Sequence, residues 1–97
     1  MEDLQTYVNH ELMLDGNAAA GLLQEIFGAE MTATPTECAH CGNLAEIGTL
    51  LAFTHGADFV LRCSGCQQIV LRIVQTPEFY YIDARGAVYL RLRRLSN

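Results

Sequence analysis

The 97 residues contain no lysine and no tryptophan, only two prolines, and no unbroken apolar run longer than a few residues. The short apolar runs exclude a membrane-crossing helix. The first fifteen residues carry Glu2, Asp3, Glu11 and Asp15 without Lys or Arg, which excludes a secretory signal. Basic charge is scarce and unevenly placed. Residues 1–48 hold eight acids and no Arg, a charge of -8, whereas residues 49–97 hold six Arg against Asp58, Glu78 and Asp83, a charge of +3. With a net charge of -5 the chain is a poor default partner for nucleic acid, although its Arg-bearing end could act locally. No general base is spaced against a nucleophile, so no catalysis and no small-molecule substrate are expected.

What is present is concentrated between Cys38 and Cys66. This stretch holds all four cysteines as two Cys-x-x-Cys pairs with twenty-one residues between Cys41 and Cys63. Two residues between paired cysteines let one tight turn aim both sulfurs at one ion, and the spacing between pairs suits a hairpin that returns the chain, as in a zinc ribbon. Four thiolates close a tetrahedral shell and leave no position for substrate or water, the mark of a structural site. Cys38, Cys41, Cys63 and Cys66 are therefore the expected ligands of one zinc ion, with iron as the alternative. Two disulfides would also use four cysteines. The paired spacing and the absence of a signal point instead to a reducing, cytoplasmic setting. His40 lies inside the first turn and is read as a bystander to a complete shell. Gly42, just after Cys41, suits a positive backbone dihedral that directs an amide toward sulfur.

The chain has length for one domain, residues 1–97, and a domain this small benefits from a metal staple. Residues 1–13 form a flexible or helical lead, with Leu4, Tyr7, Val8 and Leu12 at helical spacing over 3–12. Residues 14–29 form a helix in which Ala19, Leu22, Leu23, Ile26 and Phe27 share a face from Ala18 on, and Gly28 sits where a left-handed cap would stop it. That stripe either packs on the chain's own sheet or offers Leu22, Leu23, Ile26 and Phe27 to a partner. Residues 30–76 make the ribbon. Met31–Thr36 enters as an extended edge. Ala45–Thr54 and Asp58–Cys63 are strands joined near His55-Gly56-Ala57, and Gln68–Thr76 is a third strand. Apolar residues fall on both faces of these strands, so both faces are expected to be partly covered. Residues 77–97 form a terminal hairpin around Ala84-Arg85-Gly86, with Gly86 suiting a left-handed bulge. Pairing Asp83 with Ala87 sets Ile82 against Val88, Tyr81 against Tyr89, and Tyr80 against Leu90. Tyr80, Ile82, Val88, Leu90 and Leu92 then line one side. Phe79, Tyr81, Tyr89, Arg91 and Arg93 line the other, either as a stacking platform for single-stranded nucleic acid or as a water-facing strand pair. The expected fold class is small α+β, an N-terminal helix on an antiparallel zinc-ribbon sheet extended by this hairpin.

The run from Leu14-Asp15-Gly16-Asn17 through Leu23 to Phe27-Gly28, then Cys38-Ala39-His40-Cys41-Gly42, Val60-Leu61-Arg62-Cys63 with Cys66, and Ile82-Asp83 with Arg85-Gly86 and Leu90-Arg91-Leu92, resembles a family of small bacterial zinc-ribbon-like proteins of unknown function. The resemblance covers residues 13–93. It implies a bacterial, cytosolic, zinc-binding protein without an assigned reaction. Similar proteins are associated with neighbouring oxidoreductase genes, which implies an accessory role. Gln67 departs from the pattern, standing where many zinc knuckles carry Gly, so the second half-site is expected to have less regular amide bonds to sulfur. Three function classes follow. They are a zinc-stabilised module acting through a protein partner or a homodimer, a nucleic-acid or transcription-associated ribbon, and an accessory or rubredoxin-like redox protein.

Overall fold

The computed structural model describes residues 14–94, which fold into one short α-helix and two antiparallel sheets. Leu14–Asp15 (β1) pairs with a strand of the larger sheet, and Gly16–Ala19 winds as a 3-10 turn into α1, Ala20–Phe27. Ala, Leu, Gln and Glu are good helix formers. Gly28 ends the helix at φ 72°, donating its N–H to the Gln24 carbonyl at 2.8 Å. Helical structure thus covers less of 14–29 than expected, because Leu14 and Asp15 join a sheet. Ala19 and Leu23 are fully buried, and Leu22, Ile26 and Phe27 pack half-buried against the same core. Leu23 is therefore unavailable to a partner. The lead over 1–13, with its helix at 3–12, lies outside the described residues.

Leu51–His55 (β4), Asp58–Arg62 (β5) and Ile69–Gln75 (β6) form an antiparallel meander, with β1 along the edge of β4. Its core face carries Ala52, Phe59, Leu61, Leu71 and Ile73, all buried. The ladder pairs Leu61 with Leu71 but Arg62 with Ile69, leaving Val70 as an extra residue. This bulge lets Val70 and Leu71 both be buried, and it accounts for the weak alternation along β6. On the opposite face Phe53, Val60 and Val74 are half-buried.

Three expected elements are rearranged. Ala45–Thr54 is not one strand. Leu44–Glu46 (β3) belongs to the smaller sheet, and a 3-10 turn at Ile47–Thr49 carries the chain across to β4. The break falls at Gly48, buried against the Thr32 carbonyl and the Asn17 side chain, while Ile47 and Leu50 turn into the core. The entry to the first cysteine turn is not an edge either. Pro35–Cys38 (β2) is the central strand of the smaller sheet, and Pro35 is tolerated as its first residue.

The terminal hairpin is absent. Tyr80–Asp83 (β7) pairs with β6, setting Ile82 opposite Ile73 and Tyr81 opposite Val74, whereas Ala87–Leu90 (β8) pairs with β2, setting Leu90 opposite Thr36 and Ala87 opposite Cys38. Tyr80, Tyr81, Ile82 and Asp83 thus do not face Leu90, Tyr89, Val88 and Ala87. Ala84-Arg85-Gly86 crosses between the sheets. Gly86 is required there for close approach and does not take a positive φ, since an added Cβ would overlap the Ile69 carbonyl oxygen. The Gly86 carbonyl accepts the Ala39 N–H at 2.8 Å, so the crossover binds both sheets.

Candidate metal centre

Each cysteine pair closes a hairpin. Cys38 ends β2 and Cys41 lies in the turn to β3, and Cys63 and Cys66 lie between β5 and β6. The two turns share one hydrogen-bond pattern. Cys38 donates its N–H to the Asn43 carbonyl and accepts at its carbonyl from Gly42, at 2.9 and 2.8 Å. Cys63 does the same with Gln68 and Gln67, at 2.9 and 2.8 Å. Gly42 and Gln67 take positive φ of 79° and 67°. The residue two beyond each cysteine donates an amide to sulfur, His40 to Cys38 Sγ at 3.4 Å and Gly65 to Cys63 Sγ at 3.3 Å. A further amide, from Cys66, reaches Cys63 Sγ at 3.5 Å. The second half-site is thus no less regular than the first, because Gln67 adopts the left-handed conformation that Gly was expected to supply.

The turns bring the four sulfurs within 4.8 Å of one another, with Cys38 to Cys66 and Cys41 to Cys63 both at 3.7 Å. A disulfide would require about 2.05 Å, so the cysteines are free thiols. A tetrahedral ion with metal–sulfur bonds of about 2.3 Å separates its sulfurs by about 3.8 Å. Two of the six separations have that value and the others stay within 4.8 Å, so the cluster could hold a metal ion. Because β2–β3 belongs to one sheet and β5–β6 to the other, a shared ion would join the two sheets.

Electrostatics agree with the geometry. Burial opposes the Cys63 thiolate, but amide donation from Cys66 and Gly65 and the neighbouring thiols outweigh it and bring Cys63 down to about 6. The Asn43 amide favours the Cys41 thiolate and the Gln68 amide that of Cys66. Desolvation and adjacent sulfurs prevail, pushing Cys41 up to about 12 and raising Cys66. One thiolate forms readily while others resist, and a central cation would offset that repulsion.

His40 is exposed and engages Cys38 through its backbone, outside the four-sulfur group. His55 ends β4 at the exposed turn. Of the aromatic and basic set, Phe79 and Tyr81 stand together at the end of the larger sheet, ring centroids 6.2 Å apart, while Tyr89, Arg91 and Arg93 are exposed on and just beyond β8 of the smaller sheet. The strand pairing meant to unite them does not occur. Two supporting residues were not foreseen. Arg62 holds the Gln67 carbonyl at 2.9 Å, and Asn43 reaches across to Cys63 Sγ at 3.9 Å. The available signal was position, since Gln67 follows Cys63 by the same four residues that separate Gly42 from Cys38.

Among the described residues no helix is long and apolar enough to cross a membrane. Comparison with curated proteins and with solved structures found no match in either. A family model does match, over residues 8–95, and the chain accordingly belongs to a family of unknown function, DUF6510.

Proposed function

We propose that the chain is a zinc-binding structural module, in effect a zinc ribbon of a bacterial cytoplasm, that performs no reaction itself and acts by contact with another protein. The observation that carries this reading is the set of four sulfurs within 4.8 Å of one another, drawn equally from two sheets. Cys38, Cys41, Cys63 and Cys66 would hold the ion, which supplies cross-linking without an open coordination position. A reactive dithiol at Cys63 and Cys66 fits less well. Cys63 has the depressed pKa such chemistry needs, but its side chain is buried and its turn joins two strands rather than opening a helix. A nucleic-acid role is weakened by net charge -5 and by the division of the aromatic and Arg residues between sheets. Cobalt substitution tests the reading. A tetrahedral thiolate spectrum unaffected by added imidazole is expected. A spectrum that shifts with imidazole would reveal an open position, and native protein carrying iron colour would favour the rubredoxin-like alternative.

A further inference from the structure

Among the described residues β7 is the end strand of the larger sheet, and the side chains from Phe79 into β7 are unusually apolar for an open edge. Phe79, Tyr80, Tyr81 and Ile82 are 60, 38, 59 and 42 % exposed in succession. Edges are ordinarily protected by Lys, by Pro or by a bulge. The chain has no Lys, Pro77 precedes β7, and the pairing of β7 with β6 has no register shift.

The direction of the unpaired backbone groups follows from the ladder. Gln75 donates to the Ala57 carbonyl on the β5 side at 3.0 Å, and Thr76 donates to the Phe79 carbonyl at 2.8 Å. Hydrogen-bonded pairs alternate along an antiparallel ladder. With Val74 opposite Tyr81 and Arg72 opposite Asp83, the backbones of Tyr81 and Asp83 turn toward β6. Those of Tyr80 and Ile82 turn outward.

We propose that this edge pairs with the same edge of a second copy, through a two-fold axis at Tyr81. This names the partner for the interaction role proposed above and rests on that reading. A two-fold normal to a continuous sheet keeps each residue on its own face, so the register must centre on a residue. Centring on Tyr81 sets Tyr80 opposite Ile82 of the second copy, and every outward N–H and C=O of these residues finds a partner. Centring on Ile82 would instead pair Tyr80 with Ala84, whose carbonyl already accepts from Ala87 at 3.0 Å. At the Tyr81 register no charge faces its own copy, and Glu78 comes to Ala84 beside the basic Arg85. Aromatic side chains of about 150 to 250 Å² each, exposed to these degrees, offer at most roughly 500 to 800 Å² for the pair, below a standard interface and on the scale of weak, transient association.

Sedimentation of the metal-loaded full chain across the micromolar range tests this, with metal content measured on the same samples. A concentration-dependent dimer is expected. Ile82→Pro removes an outward N–H together with the Ile side chain but no backbone bond to β6, and should be monomeric with its metal retained. Tyr81→Arg sets two guanidinium groups face to face and should weaken association at least tenfold. Tyr81→Cys should cross-link under mild oxidation, since residues at such an axis lie about 4.5 Å apart, whereas Tyr80→Cys should not. If Ile82→Pro fails to fold, Tyr81→Arg and the cross-linking pair decide. A wild-type monomer at every concentration, with metal bound, would overturn the dimer and leave the metal reading intact. A dimer unaffected by both Ile82→Pro and Tyr81→Arg would overturn this surface. A dimer without metal would overturn the metal reading alone.

Discussion

Gln67 stands in the second cysteine turn where Gly42 stands in the first, four residues beyond a cysteine, with a left-handed backbone at φ 67° against 79° and an amide donated at 2.8 Å to that cysteine's carbonyl. A residue with a Cβ strains in that region, whereas Gly does not. Gln67→Gly is therefore expected to leave stability unchanged or raise it by up to about 1 kcal/mol, with the gain limited by the greater freedom of Gly in the unfolded chain. Gly42→Gln is expected to cost about 1 to 2 kcal/mol. Denaturant unfolding of the metal-loaded proteins checks both. A clear loss in Gln67→Gly would mean that the Gln side chain, rather than the backbone it adopts, supports the turn.

Gly86→Ala probes the crossover between the sheets. Its Cβ would overlap the Ile69 carbonyl, and the segment that receives the Ala39 amide would have to shift. Overpacking against backbone should cost about 3 kcal/mol. Urea midpoints give the answer, and a change below about half a kcal/mol, the range of surface substitutions, would contradict the crossover.

The cysteine cluster and the crossover differ in how far they could be read in advance. Cys38, Cys41, Cys63 and Cys66 were legible because a Cys-x-x-Cys turn is local, and its geometry depends on the intervening residues rather than on distant packing. The α1 stripe and the β4–β5–β6 meander were legible for the same reason of short-range period. The terminal hairpin misled because Tyr80–Asp83, Ala84-Arg85-Gly86 and Ala87–Leu90 have the local form of a hairpin. The deciding contact is long-range, Gly86 against Ile69, and it sends the two strands to different sheets. Gly48 acted likewise, its reason lying in Thr32 and Asn17 rather than in its neighbours. At Gln67, residue type was the wrong guide, because the turn could impose the conformation on a non-glycine residue.

Leu23→Ala tests whether α1 belongs to the folded unit. Leu23 is 0 % exposed in a core shared with Phe59, Leu61 and Ile73. Truncation should cost about 2 to 5 kcal/mol. Thermal unfolding would show it, and a variant with the wild-type midpoint would place the helix outside the core.

Native mass spectrometry before and after treatment with a strong chelator, read together with circular dichroism, tests the central claim most directly. A single zinc ion per chain is expected, and its removal should abolish the cooperative fold, since the four sulfurs then have no cation to join the two sheets. A chain that carries no metal and keeps its fold in chelator, or one that carries iron, would contradict the account.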